Sequence, residues 1–121
     1  MKLIVAGSRE FSNIELMKSH IKRLEPTEIV SGCARGADKL GETIAAELNI
    51  PVKRFPADWA KYGRAAGPIR NGCMANYGDA LLAFPIGQSR GTRNMIKQMQ
   101  NLEKNCVVVE TEVLPSGERV G

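Results

Sequence analysis

A chain of 121 residues, 43% of them hydrophobic and 25% charged, can bury one core but not two, which predicts a single domain over residues 1–121. The net charge of +4 is modest, and no apolar run approaches the roughly 20 residues that span a bilayer, so a membrane protein is not expected. Cys33, Cys73 and Cys106 lack CxxC or CxxH spacing, which argues against a disulfide framework or a zinc site and predicts reduced thiols, buried for Cys73 and Cys106.

In chain order the predicted elements alternate between strand and helix, the pattern of repeated βαβ units. Leu3-Ile4-Val5-Ala6 is too short for a secretory signal and reads as a first strand, Lys2 to Ala6, with the cytoplasm as the expected address. Ser12 and Glu15 have capping-box spacing, and Ile14, Met17, Ile21 and Leu24 recur at helical intervals until Pro26. A second strand, Glu28 to Ser31, leads to a helix with Leu40, Ile44 and Leu48 on its inner face. A third strand covers Pro51 to Phe55. The long connection 56–67 holds Trp59 and Tyr62. Pro68 then suits the first residue of a helix whose buried side reads as Ile69, Cys73 and Tyr77 and whose end reads as Gly78. The apolar run Ala80 to Phe84 predicts a strand covered on both faces. A last helix starts near Thr92 and buries Met95, Ile96, Met99 and Leu102; Cys106 to Val109 is a fifth strand. Residues 111–121 read as an edge extension turning at Pro115-Ser116-Gly117. The expected fold class is α/β, a modified Rossmann-like three-layer sandwich with a mostly parallel sheet of about five strands.

The chemistry is concentrated in four glycine-bearing turns, each following a strand: Gly7-Ser8-Arg9, Ser31-Gly32-Cys33-Ala34-Arg35-Gly36, Gly63 to Gly67, and Gly87 to Gly91. In a parallel sheet these turns share one edge, where open α/β sheets bind ligands. Arg9, Arg35, Arg64, Arg70, Arg90 and Arg93 fall at or near that edge. Guanidinium groups, unpaired backbone amides and helix dipoles all favour an anion there, and a planar fork suits phosphate. Asp38 has two readings: a first-turn acid that complements the helix dipole, or an acceptor for a ribose hydroxyl. Thr92 reads as a helix cap, which does not exclude ligand contact. No Lys-Ser or Lys-Thr follows Gly91, so the last turn is not a P-loop. Two or three phosphate contacts give only about millimolar to high-micromolar affinity, so the rest of the ligand must be buried as well. Trp59 and Tyr62 are either platforms for a nucleobase or a hydrophobic plug over the edge. Cys33 lies in a phosphate-type turn, but the only histidine, His20, is on the first helix away from that edge, against a Cys–His nucleophile.

Five ordered motifs carry a family resemblance from about residue 3 to residue 99. They are Gly7-Ser8-Arg9-x-Phe11, Ile29-Val30-Ser31-Gly32-x-Ala34-Arg35-Gly36-Ala37-Asp38, Ala57-Asp58-Trp59, Ala66-Gly67-Pro68-x-Arg70-Asn71-x-x-Met74 and Gly91-Thr92-x-x-Met95. They resemble the SLOG superfamily, and within it the small stand-alone proteins of the YspA type. The resemblance implies a modified Rossmann sheet and a nucleotide-type ligand. Two related groups point to different activities. The Lonely Guy (LOG) enzymes hydrolyse the N-glycosidic bond of nucleoside 5′-monophosphates, and their Arg-x-x-x-Met helix is similar to Arg70 to Met74. Their Pro-Gly-Gly-x-Gly-Thr-x-x-Glu motif is similar to Pro85 through Met95, but here Ile86 replaces a glycine, the loop is two residues longer, and Met95 stands in place of the glutamate. A thioether cannot stabilise an oxocarbenium charge or manage a water, the tasks of a carboxylate in glycoside cleavage. The single-stranded-DNA-binding DNA-processing protein A family has motifs similar to Gly7 to Arg9, Ser31 to Asp38 and Arg70-Asn71.

The resulting expectation is a protein that binds a phosphorylated nucleoside derivative, an ADP-ribose-like or cyclic nucleotide signal, as a sensor or sequestering protein. Arg9, Arg35 and Arg70 hold phosphate in this reading, with amides at Ser8, Gly32, Gly36, Gly91 and Thr92, while Trp59 covers the base. Gly7, Ser31, Asp38, Asn71, Gly87 and Arg90 complete the expected site. The alternative is a LOG-like hydrolase, for which Arg70, Asp38 and Asp58 are the catalytic candidates; single-stranded DNA binding is third. No metal or cofactor is expected, and the resemblance implies a homodimer.

Overall fold

Five short segments hydrogen-bond side by side in one direction: β1 (Lys2–Gly7), β2 (Glu28–Ser31), β3 (Val52–Arg54), β4 (Ala80–Phe84) and β5 (Asn105–Val108). The computed structural model describes residues 1–113 and 119–120. The strand order is β3-β2-β1-β4-β5, with every pair parallel. Alternation along each strand sends Leu3, Val5, Ile29, Leu82 and Phe84 into one apolar cluster and Ile4, Ala6, Val30, Leu81 and Ala83 into another. Helices α1 (Ile14–Leu24) and α2 (Ala37–Glu47) cover the first face through Met17, Ile21, Ile44 and Ala45. Helices α4 (Ala66–Tyr77) and α5 (Arg90–Asn101) cover the second through Met74, Ala75, Met95 and Met99. These three layers make the α/β, Rossmann-like sandwich.

Several boundaries and faces differ from the expectation. The cap of α1 is Asn13, whose side chain accepts from Leu16 N (3.1 Å), one residue beyond the predicted Ser12. His20 is half-buried and packs edge-on to Phe84, with ring centroids 6.0 Å apart. The connection after β3 contains a short helix α3 (Trp59–Tyr62) and a 3-10 turn (Gly63–Ala65), so Pro68 is the third residue of α4. It still lies in the first turn, where a missing N–H leaves no bond unmade.

The buried side of α4 is Ala66, Gly67, Asn71, Met74 and Ala75, whereas Ile69 and Cys73 face solvent and Tyr77 is half-buried. Small residues let α4 lie close against its neighbours, and Asn71 turns inward because it finds polar partners on α5. Cys106 is half-buried, and Leu102, just past the end of α5, is exposed. After β5, Thr111 bridges to Ile86, and the short strands β6 (Glu112–Val113) and β7 (Arg119–Val120) pair antiparallel. The expected turn at 115–117 lies outside the described residues. Among the described residues no helix is long and apolar enough to cross a membrane.

Candidate functional site

β1 and β4 end side by side, with Gly7 opposite Phe84. The chain leaves β1 toward α1 and leaves β4 toward α5, which lie on opposite faces of the sheet, so this is the point where the winding reverses. A cavity of about 600 Å³ opens here, a size common for small-molecule sites. Gly7, Ser8 and Arg9 line it from the first turn, Ser89 to Thr92 from the start of α5, and Arg70 and Asn71 from α4. Met74 and Met95 supply apolar lining, and Trp59, 57% exposed, also borders it. A second hollow of about 370 Å³ adjoins the first, lined by residues 32–35, Pro56 and Ala57, and shares Arg9, Ala34, Trp59 and Arg70 with it.

The start of α5 faces the cavity without a side-chain acceptor at its cap. Its first backbone bond runs from Arg93 N to Ser89 O (3.0 Å), which places the N–H groups of Arg90, Gly91 and Thr92 ahead of the helical ladder. Ser89 is the cap residue, in the left-handed region with φ 40°, and its hydroxyl donates to Thr92 Oγ1 (2.9 Å) instead of accepting from a helix amide. The expected cap, Thr92, is thus the third residue of the helix. Gly91 has open space where a Cβ would lie.

Arg70 and Asn71 tie three elements together. Arg70 Nε donates to Asn71 Oδ1 (2.9 Å), and its Nη1 donates to the Gly32 carbonyl in the second turn. Asn71 Nδ2 donates to Gly91 O (3.1 Å) and Asn94 Oδ1 (3.0 Å) on α5. A Cβ at position 32 would lie 2.7 Å from Arg70 Nη1, so Gly32 makes room for the guanidinium itself.

Asp38, 5% exposed, lines the first cavity, and its Oδ2 accepts from Ala34 N (3.3 Å). Burial pushes its carboxyl up to about 6, with Glu42 adding to the rise; amides of Ala34 and Gly32 and the charge of Arg70 pull the other way. Glu42 behaves oppositely. Burial raises it, but hydrogen bonds from Ser31 and Arg54 and the charges of Lys39 and Arg54 outweigh that and hold it below the usual range.

With this geometry in place, the sequence can be set beside known proteins. Residues 1–62 match the YspA, cpYpsA-related SLOG family. The chain belongs to that family. It is similar to the Gene 61 protein of Mycobacterium phage D29, 38% identical over 78 residues that cover 60% of this chain and 62% of the phage protein. Its fold is similar to that of DNA processing protein A (DprA) from Streptococcus pneumoniae, with a TM-score of 0.72 and 17% identity, covering 88% of this chain and 49% of the other. The chain therefore spans less than two thirds of the length of either relative.

Not every polar turn residue of this SLOG chain is placed to meet a ligand. The Ser8 amide, an expected anion donor, is committed to Phe84 O (3.0 Å), and the Ser8 hydroxyl to Glu10 Oε2 (2.5 Å). Gly36, at φ 79°, packs on the first turn, where a Cβ would lie 2.6 Å from Arg9 Cα. Ser31 is fully buried, donating to Glu42 Oε2 (2.7 Å) and accepting from Cys33 N (3.1 Å). Asp58 caps α3 by accepting from Lys61 N (3.1 Å). Ser31, Gly36, Asp58 and Gly87 stand apart from the described linings of both hollows, as do Tyr62 and Arg64. Arg93 turns away to Gly87 O (2.8 Å) and Glu110 Oε1 (2.6 Å). Arg9, Arg35, Arg70 and Arg90 remain as arginines that line the hollows, with Arg35 only in the second. The sequence reading missed Glu10 and Asn94, both in the first cavity's lining. Glu10 lies two residues beyond Ser8, a spacing that suits a carboxylate closing a turn; nothing in the sequence marks Asn94 as the partner of Asn71.

Proposed function

We propose that this SLOG protein binds a phosphorylated nucleoside derivative at the C-terminal edge of its sheet. The observation that carries the reading is the cavity at the strand-order reversal, where the start of α5, free of a side-chain cap, meets Arg9, Arg70 and Arg90. A phosphate placed there accepts from Gly91 and Thr92 amides and from guanidinium groups, each charge-assisted bond contributing about 1.5–3 kcal/mol. Trp59 and the two methionines supply apolar area for a base. ADP-ribose-like and cyclic nucleotide signals fit this chemistry, and the protein acts as their sensor or sequestering partner. The family membership is consistent with a nucleotide ligand, and the DprA likeness concerns fold. Single-stranded DNA ranks lower, since strand binding draws on an extended basic groove with aromatic platforms. A mass balance tests the reading. Excess protein is incubated with AMP, ADP-ribose, NAD and cyclic nucleotides, free ligand is removed, and both fractions are chromatographed. Intact ligand recovered from the protein fraction supports binding, while ligand left wholly in solution counts against it.

A LOG-like N-glycosidase is the second reading, and one observation favours it. Met95, 1% exposed, cannot replace the LOG-type glutamate, but Asp38 puts a carboxyl with a pKa near 6 in the cavity wall. Such a group can protonate a leaving base near neutral pH. Free base appearing in the mass balance, and disappearing with Asp38→Asn, would put the hydrolase first. We also propose a homodimer, with the exposed Tyr62, Ile69 and Cys73 of α3 and α4 as its surface.

A further inference from the structure

The second hollow differs from the first in its charge. The first cavity is bordered by Glu10 and Asp38 as well as arginines, whereas the described lining of the second has Arg9, Arg35 and Arg70 and no carboxylate. Among the described residues the ion pairs are Lys18–Glu47, Lys39–Glu42, Arg54–Glu42 and Arg93–Glu110, so none of these three arginines is in a salt bridge, and Arg70 feels the charge of a carboxylate, Asp38, which lines the first cavity. Three guanidinium groups around one concavity repel one another, and an anion placed among them relieves that repulsion. Arg70 cannot swing away, because Gly32 O and Asn71 hold it. Arg9, Ala34, Trp59 and Arg70 form the border between the hollows, so a molecule filling both passes two guanidinium groups and the indole.

We propose that the second hollow is an anion subsite for the far half of a pyrophosphate-linked nucleoside derivative whose nucleoside half occupies the larger cavity. This rests on the nucleotide-binding reading above and narrows its ligand class. The nucleoside-side phosphate lies at the Arg9–Arg70 border and the distal phosphate inside the second hollow, where Arg35, which lines only that hollow, is the residue that separates such ligands from nucleoside monophosphates. Arg90 lines only the first cavity and serves both.

Isothermal titration of the wild type, Arg35→Ala and Arg90→Ala with two matched pairs, AMP with ADP-ribose and GMP with GDP-mannose, tests the assignment. Arg35 is exposed, so its truncation leaves the fold intact. In one pair the longer ligand should bind about tenfold tighter or more; Arg35→Ala should erase that gain while changing the monophosphate by less than about twofold. Arg90→Ala should weaken both members. Equal affinities within both pairs for the wild type, or an Arg35→Ala loss shared equally by both members, overturns the second subsite while leaving nucleotide binding in place. Failure of all four ligands to bind overturns the nucleotide reading and the subsite with it.

Discussion

Asp38 shows how one side chain couples the site to stability. Its carboxyl is raised from 3.8 to about 6, so the folded chain holds a proton that the unfolded chain releases. The contribution to stability is fully present below the unfolded value of 3.8 and is lost as pH rises through about 6. Asp38→Asn removes this loss, so the variant should gain on wild type by roughly 1–3 kcal/mol between about pH 4 and about pH 7.5. Urea denaturation at the two pH values reads the difference; a constant offset at both would show that Asp38 does not titrate in this window. Gly36 makes a second residue-scale prediction. With φ at 79° and Arg9 Cα 2.6 Å from a would-be Cβ, Gly36→Ala should cost on the order of 2–4 kcal/mol. An unchanged denaturation midpoint would mean that the contact between the two turns is not needed. This glycine was legible as a turn residue, but its partner was not. Sequence spacing signals positive φ, while the neighbours that crowd the position, Ser8 and Arg9, come from the turn after β1.

At the scale of elements, α4 is anchored at both ends by polar contacts. Near its start Gln98 Nε2 donates to Pro68 O (3.0 Å), and at its end Lys104 Nζ donates to the carbonyls of Ala75 (2.7 Å), Asn76 (3.2 Å) and Gly78 (2.8 Å). A lysine there satisfies carbonyls that the helix leaves unbonded and complements its dipole. Lys104→Met should therefore cost about 1–2 kcal/mol in thermal or urea unfolding, with nucleotide affinity unchanged. A matching loss of affinity would mean that α4 transmits the change to Arg70. The strands at 28–31 and 80–84 were readable because short apolar runs bounded by turn residues have few alternatives. The face of α4 was not. Ile69, Cys73 and Tyr77 repeat at helical spacing, yet the helix turns Asn71, Met74 and Ala75 inward. Apolar spacing identifies a stripe, but it does not register that Asn71 bonds Gly91 and Asn94 across the interface.

Across the whole molecule, sheet and site were legible to different degrees. Alternating strands and helices imply a parallel sheet, and a parallel sheet brings its βα turns to one edge, so the location of the candidate site follows from topology alone. Which groups there remain open for a ligand follows from three-dimensional partners. Ser31 and Asp58 look like ligand groups in the sequence but serve Glu42 and a helix start. Arg9, Arg35 and Arg70, expected from the sequence to hold phosphate, line one hollow together, and its described lining has no carboxylate. The proposed homodimer is checked by light scattering at micromolar concentration, where a monomer would count against α3–α4 pairing.

Trp59 offers the most direct test of nucleotide binding. It is the chain's one tryptophan, it is 57% exposed, and it borders both hollows. Its fluorescence during titration with ADP-ribose should change saturably, and Arg70→Ala should shift the midpoint to higher concentration by about tenfold or more. A signal that stays flat through millimolar ADP-ribose, AMP and cyclic nucleotides would contradict a nucleotide site at this edge.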